Sequence, residues 1–380
     1  MDLTRSFFAL CLRGRRDPAA LEAARELGRG PAFDWPAVQS ASIRWLLAPL
    51  LYDAVRGQGF VPPQVEQALR DAYEFVAQRN LWLFHQLADV LACLRSVGSG
   101  VIVLKGAALV QMAYGGNAAL RPFRDLDLLI RPEVVPEARR LLQAMGYAPL
   151  RAETRAGAAL DYENEVSLFK RGSVGVLLEL HWSLIDSPFY QRTLRSDWFW
   201  DTAQPLAVGS ERALALGVEA QLLHLCAHLR LHHTGQELLW LNDAAEVLHA
   251  YQQRIDWVVL LKQTQALALV LPTQQVLAQV AGELNAPVPE ALLAHLRELR
   301  PTADEARAYA RLTIENRSVA RRLWDDLAAL PSWRARLRFA WNNLFPSWAY
   351  MRRRYGIAHP FLLPLYYPYR WWLGLRSGLP

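Results

Sequence analysis

Residues 121–130 read Arg121-Pro122-Phe123-Arg124-Asp125-Leu126-Asp127-Leu128-Leu129-Ile130, with acids and leucines alternating from 125 onward. Strict alternation over a short apolar run predicts a strand. Successive strand side chains point to opposite faces, so Asp125 and Asp127 share one face, about 6–7 Å apart along it. Leu126 and Leu128 face the core. Two carboxylates side by side on a half-buried strand repel each other, and a cation between them relieves the repulsion. Oxygen ligands suit Mg²⁺ or Mn²⁺, and those ions suit phosphates.

Upstream, Gly98-Ser99-Gly100 is a turn and Val101-Ile102-Val103-Leu104 a short buried strand. Lys105-Gly106 ends that strand, and Ala107 to Tyr114 reads as a helix closed by Gly115-Gly116-Asn117. Gly106 at a helix N-terminus would let backbone amides approach a phosphate. Lys105, Arg121 and Arg124 would neutralise triphosphate charge. Downstream, Pro132 opens a helix that runs to about Met145, with Gly146 as its cap. Strands at about 163–170 and 174–182, joined by Arg171-Gly172-Ser173, predict a hairpin. On its second strand Glu179 and His181 share one face, and Leu178, Leu180 and Trp182 the other. Beside the 125–130 strand, Glu179 would complete a two-ion site, with the ions about 4 Å apart. His181 would touch the nucleotide, hold Glu179 in place, or serve structurally by pairing with a backbone carbonyl.

The expected fold class is therefore α/β (α+β), a small mixed sheet flanked by helical regions. Residues 1–98 form an N-terminal helical region, 99–205 the α/β core, 206–330 a C-terminal helical domain and 331–380 a basic aromatic tail. Within the helical domain the pattern predicts helices over Ala213–Leu231, Leu238–Tyr251, Trp257–Leu269 and Thr273–Leu284. His224 and His228 share a helix face, and with His232 and His233 they raise the alternatives of a metal site, a cleft lining or internal packing. Asp243 lies in an apolar helix, where a buried acid needs a partner. A histidine or an arginine would serve, and the pairing is either a structural ion pair or part of an acceptor side formed by His224, His228 and Asp243, where Asp243 or His228 would orient or deprotonate an acceptor hydroxyl.

Of the 380 residues 52% are hydrophobic and 21% charged, which excludes a mostly disordered chain. The cysteines, Cys11, Cys93 and Cys226, are far apart and form no CxxC pair, which excludes a disulfide scaffold and a cysteine zinc site. The expected setting is a reducing, cytoplasmic one. No apolar run is long enough to span a bilayer, and the arginine-flanked start reads as a first helix, not a signal peptide. Lysine occurs only at positions 105, 170 and 262, so arginine is this chain's default cation. The net charge of +6 is unevenly spread, because residues 331–380 hold eight arginines, thirteen aromatics and no Asp or Glu. That tail allows packing on the body, peripheral contact with an anionic inner-membrane surface, or nucleic acid, for which no recognition motif is present.

The stretch from Val101 to Tyr147 resembles the uncharacterised nucleotidyltransferase family of the DNA polymerase beta-like superfamily. The resemblance rests on Lys105-Gly106, Tyr114, Arg121-Pro122, Asp125, Asp127 and Gly146-Tyr147. Glu179-Leu180-His181-Trp182 and Trp240-Leu241-Asn242-Asp243 extend it, with His224 and His228 as the spaced histidines. It implies that Asp125, Asp127 and Glu179 hold two Mg²⁺ (or Mn²⁺) ions and that Gly106 faces the phosphates of an NTP. It implies transfer of a nucleoside monophosphate to a small-molecule or protein acceptor, with pyrophosphate released. The superfamily's usual Gly-Ser or Gly-Gly is Gly106-Ala107 here, which removes one hydroxyl contact to phosphate. The rival readings are a non-catalytic nucleotide- or partner-binding module of the same fold and a DxD glycosyltransferase. Against the latter stand the few strands before the acids and the Lys-Gly and Arg-Pro features.

Overall fold

The structure, a computed structural model, describes residues 3–155, 157–194, 197–232, 237–314, 319–330 and 332–377. Its seven strands are β1 (Ile102–Val103), β2 (Asp125–Leu129), β3 (Tyr147–Pro149), β4 (Glu165–Lys170), β5 (Val176–His181), β6 (Gln204–Val208) and β7 (Glu211–Ala215). They form one sheet in the order β3-β4-β5-β2-β1-β7-β6. The β1–β7 pair is parallel, while β3–β4, β4–β5 and β6–β7 are antiparallel. The mixed sheet with flanking helices is the architecture that the alternation pattern predicts.

The chain divides into two compact units, Met1–Leu128 with Asp197–Pro301, and Leu129–Ser196 with Thr302–Pro380. In the first, helices start where an aspartate side chain takes up free amides: Asp17 accepts from the Ala19 amide, Asp34 from Ala37, and Asp256 from Val258 and Val259. Helices Leu3–Gly14, Val218–Leu231, Glu237–Tyr251 and Val270–Leu284 pack together, burying Phe8, Leu223, Leu248 and Leu277. Burial of such side chains stabilises a fold by about 1.5–3 kcal/mol each.

One local expectation is corrected. Ala213 was expected to open a helix, but β6 and β7 form a hairpin over 204–215 and the helix starts at Val218. Gly209 makes the turn at φ +58, and Leu206, Val208, Ala213 and Ala215 are buried. The run is rich in good helix formers, yet pairing of Leu214 and Ala215 with Ile102 and Val103 of β1 overrides that preference.

In the second unit, the helix Val135–Ala144 leads through Gly146 (φ +91) into β3. The residues after 331 are helical, over Trp333–Leu344, Trp348–Tyr355 and Leu363–Ser377, and they pack on the stretch before β4. The Arg155 guanidinium donates to the Phe345 carbonyl at 2.6 Å, and the Ser347 amide donates to the Thr154 carbonyl at 2.7 Å. The rings of Tyr162 and Phe339 meet edge to face at 5.1 Å. No helix among the described residues is long and apolar enough to cross a membrane.

Candidate metal centre

In the first unit, the Leu104 amide donates to the Asp127 carbonyl at 2.9 Å, which fixes β2 beside the end of β1. Lys105 then turns the chain into the helix Lys105–Met112 with φ +49. A left-handed non-glycine residue costs about 1–3 kcal/mol and persists where its surroundings hold it. What holds this one is in part its own ammonium, 2.6 Å from Asp127 Oδ1. Gly106 is buried, and a Cβ there would lie 2.5 Å from Phe123 Cβ, so its missing side chain makes room for Phe123.

The loop before the two aspartates is tied down from both sides. Asn80, fully buried in the helix Pro63–Leu94, donates through Nδ2 to the carbonyls of Ala118 (2.6 Å) and Arg121 (2.9 Å). Arg121 is buried against Asp243: its Nε donates to Oδ1 at 2.7 Å and to Oδ2 at 2.9 Å, and Nη2 lies 2.7 Å from Oδ2 as an ion pair. Its guanidinium lies over Trp240, 4.6 Å from the ring centroid, and also donates to the Pro122 carbonyl. Tyr114 donates its hydroxyl proton to Asp243 at 2.6 Å, and Asn242 Nδ2 donates to the Tyr114 oxygen at 3.0 Å. Burial alone would lower the pKa of Arg121, but the Asp243 carboxylate outweighs it and holds the guanidinium charged. Burial, reinforced by Asp243, pushes the Tyr114 phenol well above its ordinary value. Arg124, three residues on from Arg121, is exposed.

In the second unit, Glu179 and His181 share a face of β5, as the alternation requires. Leu178 and Leu180 are fully buried on the other face. His181 is buried too, with Nδ1 3.0 Å from Glu165 and Nε2 3.5 Å from Glu179. Glu165 stands directly opposite His181 in the β4–β5 register. A three-residue turn over 171–173 would place Glu163 opposite His181 instead, which is why the strand pattern does not single out Glu165. The loop has five residues, and Lys170 pairs with Val176.

Asp127, Glu179 and His181 each offer one ligand atom, and these atoms all lie within 4.8 Å of one another. Among the described residues this is the group of His, Cys, Asp or Glu side chains that could hold a metal ion. Asp125, half-buried and two residues before Asp127, stands outside that group. The helical histidines do not converge: His224, His228 and His232 follow one another along their helix with ring centroids 5.7 Å and 5.4 Å apart. His228 also meets the Trp240 ring at 4.7 Å. His233 lies outside the described residues.

A family model described as "Uncharacterised nucleotidyltransferase" matches residues 31–310. The chain belongs to this nucleotidyltransferase family. Among solved structures it is similar to an antigenic nucleotidyltransferase-like protein from Paracoccidioides brasiliensis, with 14% identity and a TM-score of 0.36. That match covers 58% of this chain and 99% of the other. No curated protein matches the sequence significantly. In this nucleotidyltransferase-family chain the donor set is two carboxylates and an imidazole, which fits a divalent cation. Glu165 lies 3.0 Å from Nδ1 of His181, so Nε2 would be the nitrogen that faces a bound cation, with the carboxylate on the far side of the ring.

Proposed function

We propose that this chain is a metal-dependent nucleotidyltransferase that moves a nucleoside monophosphate from an NTP to an acceptor hydroxyl. The observation that carries the reading is the convergence of Asp127, Glu179 and His181 within 4.8 Å, with Asp125 on the same strand face as Asp127. Asp125, Asp127 and Glu179 would hold two Mg²⁺ or Mn²⁺ ions, with His181 as a further donor oriented by Glu165. Divalent ions held there supply charge stabilisation to the attacking and leaving oxygens. Lys105 and Arg124 bring positive charge to the triphosphate, and the backbone at Gly106 faces it. The acceptor oxygen gives its proton to water and bonds to the α-phosphorus as the bond to the bridging oxygen breaks and pyrophosphate leaves. Arg121 is engaged by Asp243, which supports a positioning role for both: they hold the loop that aims Asp125 and Asp127. His224 and His228 are buried beside that network and belong to its packing.

Binding of fluorescent ATP, GTP, CTP, UTP and a UDP-sugar, with and without Mn²⁺, tests this reading on wild type and Asp127→Asn. We expect one or more of the NTPs to bind only with Mn²⁺ and the variant to lose that binding while circular dichroism shows it still folded, at a melting temperature lowered by the loss of the Lys105 pair. NTP binding that ignores Mn²⁺ and the variant, or binding confined to the nucleotide sugar, would overturn the proposal. A pyrophosphate-release screen over acceptors then separates catalysis from mere nucleotide binding.

A further inference from the structure

The last helices of the second unit turn apolar side chains outward. In Trp333–Leu344 the inner face buries Phe339 and Asn342. Trp333, Leu337, Trp341 and Leu344 are 66%, 60%, 56% and 47% exposed. They recur at steps of four, four and three residues, which is one stripe of a helix. The helix Leu363–Ser377 repeats the pattern with Leu365 (70%), Tyr369 and Trp372, and Phe361 (73%) stands just before it. The two helices are joined: Phe345 meets Trp371 edge to face at 5.4 Å, and Trp371 Nε1 donates to the Leu344 carbonyl at 2.9 Å. Arginines accompany the outward tryptophans, with Arg334 5.5 Å from the Trp333 ring and Arg376 5.1 Å from the Trp372 ring. Apolar stripes exposed on this scale mark an interaction surface.

We propose that this face adsorbs to the surface of an anionic lipid bilayer. Tryptophan and tyrosine favour the headgroup level, where an apolar body and a polar edge are both satisfied. Leucines and phenylalanine between them enter the acyl boundary, as in helices that lie in the interface plane. Eight arginines with no acid over residues 331–380 supply attraction to acidic headgroups. The aliphatic members, Leu337, Leu344 and Leu365, offer no stacking surface, which argues against single-stranded nucleic acid. Arg338 pairs with Asp161 at 3.4 Å, but the rest of the segment brings no acid of its own, so a second copy of the chain would set arginine-rich surface against arginine-rich surface, a like-charge cost. No described helix is long and apolar enough to span, so the contact is peripheral. This inference does not depend on nucleotidyl transfer.

The test is flotation of the full chain with vesicles of phosphatidylcholine alone or mixed with phosphatidylglycerol, with tryptophan quenching by brominated lipid. Two double variants accompany the wild type, Leu337→Glu with Trp341→Glu, and Arg334→Gln with Arg376→Gln. We expect binding to the anionic vesicles only, with quenched emission. The stripe variant should lose at least about tenfold in affinity and the arginine variant about fivefold or more. Thermal melts of both variants should match wild type, because all four side chains are exposed. Failure to bind anionic vesicles, or binding unaffected by the stripe variant, overturns the proposal. So does a single-stranded RNA oligonucleotide bound in place of vesicles, or a dimer in sedimentation that the stripe variant abolishes.

Discussion

Arg121 and Asp243 set the cost of disturbing the candidate centre, because each is the other's main charge partner in a buried setting. Removing one member of a buried ion pair strands the other and costs about 3–5 kcal/mol. Asp243→Asn should therefore lower stability by that order in denaturant melts, whereas Tyr114→Phe, which removes the hydrogen bonds to Asp243 and from Asn242 but strands no charge, should cost about 1–2 kcal/mol. Equal losses for the two would show that the pair is not what holds the loop. At this scale the sequence was partly legible. Strand alternation, which needs only neighbours, puts Asp125 beside Asp127 and Glu179 beside His181, and of these Asp127, Glu179 and His181 come together while Asp125 stands outside the group. The assignment of Arg121 to phosphate looked natural beside two aspartates, but its partner lies 122 residues away. Nothing local reports a contact at that separation. The buried acid at 243 did signal its need for a partner, and an arginine was among the expected answers.

Among the elements, the β4–β5 hairpin does the most for the site, since it sets Glu165 opposite His181. Replacing a carboxylate that orients a metal-bound histidine typically weakens metal affinity by about 10–100-fold. Mn²⁺ calorimetry on Glu165→Gln should show a loss of that size with an unchanged melting temperature for the metal-free protein. An unchanged affinity would remove Glu165 from the centre. A second element-level prediction concerns the helices Leu3–Gly14 and Val270–Leu284, bridged by Arg5 and Glu283 at 2.7 Å. Burial pushes the Glu283 carboxyl up, but hydrogen bonds from Arg5 and Gln279 outweigh it and leave it below its ordinary value. A depressed folded-state pKa contributes stability above the unfolded value of about 4.3 and loses it as pH falls through the folded value. Because the pair is partly exposed, the contribution is at most about 1 kcal/mol. Glu283→Gln should narrow the stability gap between pH 7 and acid pH by that amount, and an unaltered gap would contradict it. The hairpin over 204–215 escaped the sequence reading for a reason at this same scale. An Ala- and Leu-rich strand has no period that distinguishes it from a helix start, and its identity comes from parallel pairing with β1 more than a hundred residues earlier.

For the whole molecule, charge is unevenly spread along the sequence. The eight arginines of residues 331–380 exceed the chain's net charge of +6, so the remainder carries a slight negative balance. Composition alone revealed that division, but not that the helical tail turns apolar stripes outward. A metal bound only by the folded chain adds stability by mass action, about 2.7 kcal/mol at a hundred times its dissociation constant. Mn²⁺ should thus raise the melting temperature of the wild type and leave Asp127→Asn where it was; a rise in both would place the binding elsewhere. The most direct measurement is anomalous diffraction at the manganese edge from crystals grown with MnCl₂ and a non-hydrolysable NTP. The account predicts an anomalous peak within ligand distance of Asp127, Glu179 and His181 and against the nucleotide phosphates. Density that shows manganese only at other carboxylates, with Lys105 still paired to Asp127, would contradict it.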